Sequence, residues 1–134
     1  MIKVFIIDKQ PLFRQGIRAP PSQMPDIEVS GEGDVNESVL STIEISPPDV
    51  VLLGTDATFI DSLKLCQVIK QRLPGVATII VTPQAGDIQL FEAIKSQTSA
   101  CLSRDVNASD LAEIIRRCAQ GEHPINESLA ERPK

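Results

Sequence analysis

Five short apolar runs, rich in β-branched residues, alternate along this chain with segments of helical period. That alternation confines it to strand-helix units wound around a parallel sheet. The runs are Ile2 to Ile7, Ile27 to Gly31, Val50 to Leu53, Ala77 to Val81 and Ala100 to Ser103. The central ones are apolar throughout, as strands covered on both faces must be. Helices are expected between and after them, over Pro11 to Ala19, Asn36 to Ile45, Ile60 to Arg72, Ile88 to Ser96 and Ser109 to Gln120. Leu63, Cys66 and Ile69, and likewise Leu90, Phe91 and Ile94, fall at spacings that give a helix one buried stripe. Asp87 and Ser109 are read as helix starts and Gly121 as a stop. Pro20-Pro21 cuts the first helix short, because proline removes a donor and the residue before it avoids helical geometry.

The 134 residues suit one domain with a real core. No apolar run of roughly 18 residues occurs and Met1-Ile2-Lys3-Val4 leads directly into a strand, so a soluble, cytoplasmic chain with no membrane contact is expected. Cys66, Cys101 and Cys118 are odd in number, widely spaced and set in apolar stretches; they read as buried thiols, neither a disulfide framework nor a metal site. A net charge of −5 argues against a nucleic-acid surface on this domain, since such a surface needs clustered cations. Glu122 to Lys134 is polar, holds Pro124 and Pro133 and lacks an apolar stripe, so 1–121 reads as the domain and 122–134 as a tail or linker. The lone His123 falls in that tail, and no catalytic role is assigned to it.

In an open doubly wound sheet, chemistry sits at the carboxyl ends of the strands. Here those ends are Asp8-Lys9, Gly54-Thr55-Asp56, Thr82-Pro83 and Arg104-Asp105. Read with Val4-Phe5-Ile6-Ile7-Asp8, Gln10-Pro11-Leu12-Phe13-Arg14, Pro25-Asp26-Ile27-Glu28-Val29, Pro48-Asp49-Val50-Val51-Leu52-Leu53 and Phe91-Glu92-Ala93-Ile94, they make the chain resemble a response-regulator receiver domain of the NarL/LuxR type over Ile2 to Glu122. The resemblance implies a flavodoxin-like (βα)5 fold with strand order 2-1-3-4-5. It also implies a two-component phosphorelay, in which a histidine kinase phosphorylates an aspartate after the third strand and the far face of the domain responds.

That machinery needs a carboxylate nucleophile, a paired acidic site for magnesium, and a hydroxyl and a lysine on the phosphoryl oxygens. Asp8 matches the first acid, and Thr82 the hydroxyl. Lys9 replaces the second acid, Gly54 the phosphoacceptor and Arg104 the lysine. Thr58 and Ser62 depart from the usual proline and glycine, Asp61 between them is kept, and Cys101 stands where a switch aromatic is common. Like charges about 4 Å apart cost on the order of 4 kcal/mol at an effective dielectric near 20, and a divalent ion beside Lys9 suffers about double. Magnesium binding is therefore expected to be lost or weak, with Asp8 a remnant of the metal site. Thr55 has no paired base in the sequence, and Asp56 lies two residues beyond the acceptor position.

Two arrangements of the pocket follow: Lys9 and Arg104 neutralise Asp8 and Asp56, or Lys9, Arg104 and Thr82 converge on an anion. The first suits a pseudo-receiver that signals without phosphorylation, through dimerisation or partner binding; the second suits a small-anion or small-ligand sensor. An enzyme is disfavoured, because Asp8-Lys9-Gln10-Pro11 lacks a phosphate-cradling run and Gly31-Glu32-Gly33 lacks a third glycine. The resemblance places dimer faces on the fourth helix, fifth strand and fifth helix, or on the first and fifth helices. Leu111, Ile114, Ile115 and Cys118 give the last helix an apolar side that core packing should use, leaving Arg116 and Arg117 for an interface rim or, equally, a solvated face. Gly121-Glu122-His123-Pro124 is similar to the start of the linker that leads, in that family, to a DNA-binding helix-turn-helix, so any DNA contact would come from an output domain outside this chain.

Overall fold

A computed structural model of the chain describes residues 1–8, 24–36, 38–54, 59–82, 98–103 and 106–124, with 59–63 and 82 in backbone only. Five strands, β1 (Ile2–Ile7), β2 (Ile27–Gly33), β3 (Val50–Gly54), β4 (Ala77–Thr82) and β5 (Ala100–Ser103), form one parallel sheet in the order β2-β1-β3-β4-β5. The described helices are α1 (Ser38–Ile45), α2 (Phe59–Arg72) and α3 (Ala108–Ala119). The expected first and fourth helices, with the Pro20-Pro21 stop, the Asp87 cap and the stripe of Leu90, Phe91 and Ile94, lie outside the described residues.

Side chains alternate across a strand, and here the alternation divides the core into two layers. Phe5, Ile7, Val51, Leu53 and Ile80 face α1 and α2, which cover them with Val39, Leu40, Ile43, Leu65, Cys66 and Ile69. Val4, Ile6, Val50, Leu52 and Ile79 face α3, which supplies Leu111, Ala112, Ile115 and Cys118. β1 from Val4 onward and β3 contribute to both layers, so Val4 to Ile7 and Val50 to Leu53 read as unbroken apolar runs. Each large aliphatic side chain so buried contributes roughly 1.5–3 kcal/mol. All three cysteines are buried free thiols. Burial pushes the Cys66 thiol up to about 12, against a hydrogen bond with Thr78 that works the other way.

β2 runs two residues beyond the expected Gly31. The expected strand stops at Gly31, yet Gly31, Glu32 and Gly33 all pair with β1, opposite Phe5, Ile6 and Ile7. Two observations account for this. The register slips by one residue between Val4 and Phe5, leaving Ser30 as an extra residue whose hydroxyl lies 3.4 Å from the Val4 carbonyl. The Phe5 ring then lies against bare backbone: a Cβ on Gly31 would sit 2.7 Å from Phe5 Cε2, and one on Gly33 2.9 Å from Val39 Cγ2.

The last helix is capped by Asn107 and not by Ser109, as the sequence suggested. Asn107 Oδ1 accepts from the Asp110 amide at 2.8 Å and also from the Ser109 hydroxyl at 2.9 Å, so the serine supports the cap from within the first turn. Gly121 ends the helix as expected, with φ +92°. Its amide donates to the Cys118 carbonyl and that of Glu122 to Arg117, the paired closure that a glycine in the left-handed region permits. Beyond it His123 is exposed and Pro124 buried; 125–134 lie outside the described residues.

Candidate functional site

The carboxyl edge of the sheet brings together the ends of β1, β3, β4 and β5. Ile7 pairs with Leu53, which sets Asp8 and Gly54 level with each other, one residue further on. Gly54 pairs with Val81, and Thr82 with Ser103, so the edge continues in register across β4 and β5. Asp8 follows a fully buried strand end and is itself only 2% exposed. Its amide donates to the Gly33 carbonyl at 3.0 Å, which fixes the backbone turning off β1. A carboxylate at that depth loses most of its hydration, a cost carried by a site with a use for the charge or by polar neighbours.

Of the residues singled out in sequence, Asp8 and Gly54 are placed side by side at this edge, with Thr82 on the next strand in its backbone position. Lys9, Thr55, Asp56, Thr58 and Arg104 lie outside the described residues, while Asp61 and Ser62 fall in the first turns of α2. Cys101 is buried in β5, within the layer under α1 and α2. Gly54 is buried as well, and as the last residue of β3 it presents only backbone at this edge.

The receiver resemblance implies a magnesium ion at this edge, and the described residues there do not by themselves make a site for one. Asp8 supplies a single carboxylate and Gly54 no side-chain oxygen. A hard divalent ion is held by several oxygens. Among the described residues no group of three His, Cys, Asp or Glu is placed to hold a metal.

At the opposite, amino edge the structure ties strands together with one side chain that sequence reasoning left unassigned. Asp49 accepts from the Lys3 amide through its carboxylate at 2.8 Å, while its own amide donates to the Lys3 carbonyl and its carbonyl accepts from Ala77. It thereby fixes the relative height of β1, β3 and β4, and with it the level of Asp8 and Gly54. On the α3 layer, Arg116 and Asp26 form a forked pair at 2.7 and 3.0 Å that joins the helix to the turn before β2. The Arg116 guanidinium holds the Asp26 carboxyl below its ordinary value. Arg117 donates to Glu122 at 2.8 Å. Both arginines, read from sequence as either an interface rim or a solvated face, make ion pairs on the domain's own surface.

The comparisons with known proteins follow the same geometry. The signal receiver domain of NarL from Mycobacterium tuberculosis superposes with a TM-score of 0.81 over 90% of this chain and 98% of its own, at 21% identity. The isolated receiver domain of RcsB from Salmonella enterica, solved with the phosphomimetic BeF3⁻, gives 0.76 over 91% of each chain at 19% identity. The fold is that of a response-regulator receiver domain. Sequence relatives agree: the transcriptional regulatory protein LiaR of Bacillus subtilis is 30% identical over 131 residues, 97% of this chain and 62% of its own length. The response regulator protein VraR of Staphylococcus epidermidis is 28% identical over 121 residues, 90% of this chain and 58% of its own. No family model matches the chain. The chain spans about three fifths of the length of these curated relatives. By name these relatives are regulators, LiaR of transcription and VraR a response regulator. No described helix is long and apolar enough to cross a membrane.

Proposed function

We propose that this chain is a pseudo-receiver: a receiver-fold domain, spanning 1–121, that takes part in signal transduction and transcription regulation without aspartyl phosphorylation. The observation that carries the reading is Gly54, buried at the end of β3 and level with Asp8, where the acceptor carboxylate would stand. An acyl phosphate needs a carboxylate oxygen to attack phosphorus, and glycine has none. Lys9 adds a fixed positive charge beside Asp8, in the role a metal plays elsewhere, and with Arg104 it balances Asp8 and Asp56. The pocket is then held in one charge state, and the domain works through dimerisation or a bound protein partner. The proportion of LiaR and VraR that the chain spans suits the receiver part of a longer transcription regulator, with DNA contacted by an output domain.

Intact-protein mass after incubation with magnesium and acetyl phosphate tests this directly. The native chain is expected to gain no phosphoryl adduct, and a Gly54→Asp, Lys9→Asp double variant to gain one and to bind beryllofluoride. A specific adduct on the native chain would overturn the reading and point to Asp56 as acceptor. Phosphate or sulfate binding at this edge by the native chain, without an adduct, would favour the anion sensor instead.

A further inference from the structure

α1 and α2 lie on the same face of the sheet, and an open cleft of about 750 Å³ runs between them, from Val35 and Asn36 just after the carboxyl end of β2 along both helices to Arg72. Its apolar floor is Val35 and Val68, both half-buried, over the buried Leu65. On the α2 side, Lys64, Val68 and Arg72 recur every four residues, so they stack along one stripe as cation, apolar residue, cation. The rise of a helix sets these steps at about 6 Å and the two charges about 12 Å apart. The α1 side offers the exposed hydroxyls of Ser38 and Ser41.

The sign of the charge is the informative part. The whole chain carries −5, yet the described residues lining this cleft include two cations and no acid. The acid that reaches toward it is Glu44, whose carboxylate lies 3.8 Å from Arg72, with the two side chains 40% and 55% exposed. A pair that long and that wet is worth little and is readily exchanged for another. The cleft is open along its length, which suits a polypeptide better than a small molecule enclosed on most sides.

We propose that this cleft is a docking groove for an acidic segment of a partner protein, carrying an apolar residue midway between two acidic ones. In an extended segment, residues i, i+2 and i+4 share one face at about 6.6 Å intervals, which matches the Lys64-Val68-Arg72 ladder step for step. The carboxylates pair with Lys64 and Arg72, the apolar side chain covers Val68 and Val35, and the α1 hydroxyls meet the segment's backbone. The surface is independent of Gly54 and of whether the carboxyl edge is phosphorylated.

The test is a random twelve-residue peptide library displayed on phage and selected on the full chain, with counter-selection on a Lys64→Glu, Arg72→Glu variant of matched melting temperature. Enriched peptides should carry the acid-x-apolar-x-acid pattern, bind at least tenfold more weakly to the reversed variant and about threefold more weakly to Lys64→Gln, and shift the amide resonances of Ser38, Ser41 and Val68. Three results would each overturn the proposal: no enrichment over the counter-selection, equal binding to both proteins, or shifts confined to another face. Concentration-dependent self-association in sedimentation velocity, abolished by the same reversal, would also overturn it, by assigning the groove to a second copy of this chain.

Discussion

Gly31 shows how a single missing side chain can place a strand. Its Cα faces the Phe5 ring, and a Cβ there would come within 2.7 Å of Cε2, a distance that forces the ring or the strand to move. Phe5 is 5% exposed and packed between β2 and α1, so the ring has little room to yield. Gly31→Ala is therefore expected to destabilise the domain by about 1–3 kcal/mol, the usual cost of overpacking a core. Denaturant unfolding measures this, and Phe5→Leu in the same chain should recover much of the loss. A Gly31→Ala protein as stable as the wild type would mean that Phe5 does not set the path of β2. This is also where the sequence was least legible. The expected strand stops at Gly31, and the neighbouring aromatic, 26 positions earlier, explains why the pairing runs on to Gly33. Gly54 is the opposite case: its place at the end of an apolar run is legible in the sequence, and β3 ends there.

At the scale of elements, β1 and β5 begin and end where the sequence places them, because their buried centres, Val4 to Ile7 and Ala100-Cys101, anchor each run in the sheet. Helix ends were less legible, since several hydroxyl and amide side chains near a start can each cap it. Asn107 caps α3, with Ser109 two residues inside. Asn107→Ala should cost about 1 kcal/mol in urea unfolding and Ser109→Ala a few tenths; the reverse order would return the cap to Ser109. The forked Asp26–Arg116 pair anchors the same helix, and its pH dependence has a definite sign. Asp26 is held below its ordinary value by Arg116, so the stabilisation is complete above the unfolded carboxyl value, near 3.8, and is lost as pH falls through the lower folded value. Asp26→Asn should lower the melting temperature at pH 7, and the gap to wild type should close as pH drops below the folded value of Asp26. A gap that persists there would show that the pair acts through packing and not through charge. The two long-range partners, 90 positions apart, could not be matched from sequence alone.

For the molecule as a whole, charge decides which partners the described surface can hold. Thirteen lysines and arginines stand against eighteen acidic residues. Several cations of the described surface are already committed: Arg116 to Asp26, Arg117 to Glu122, and Arg72, more loosely, to Glu44. Binding to duplex DNA gains its free energy by replacing condensed counterions with protein cations, and each phosphate contact steepens the dependence on salt. With acids in excess and Arg72, Arg116 and Arg117 already paired, the described residues offer no such surface. The chain is expected to leave a duplex of about 30 base pairs unshifted at micromolar protein, with salt lowered from about 150 to about 50 mM, conditions under which phosphate contacts gain several powers of ten in affinity. Fluorescence anisotropy of a labelled duplex across that range is the direct measurement. Binding that strengthens steeply as salt falls would mean that residues outside those described assemble a basic face, and the acidic balance of the chain would then no longer assign DNA contact to an output domain.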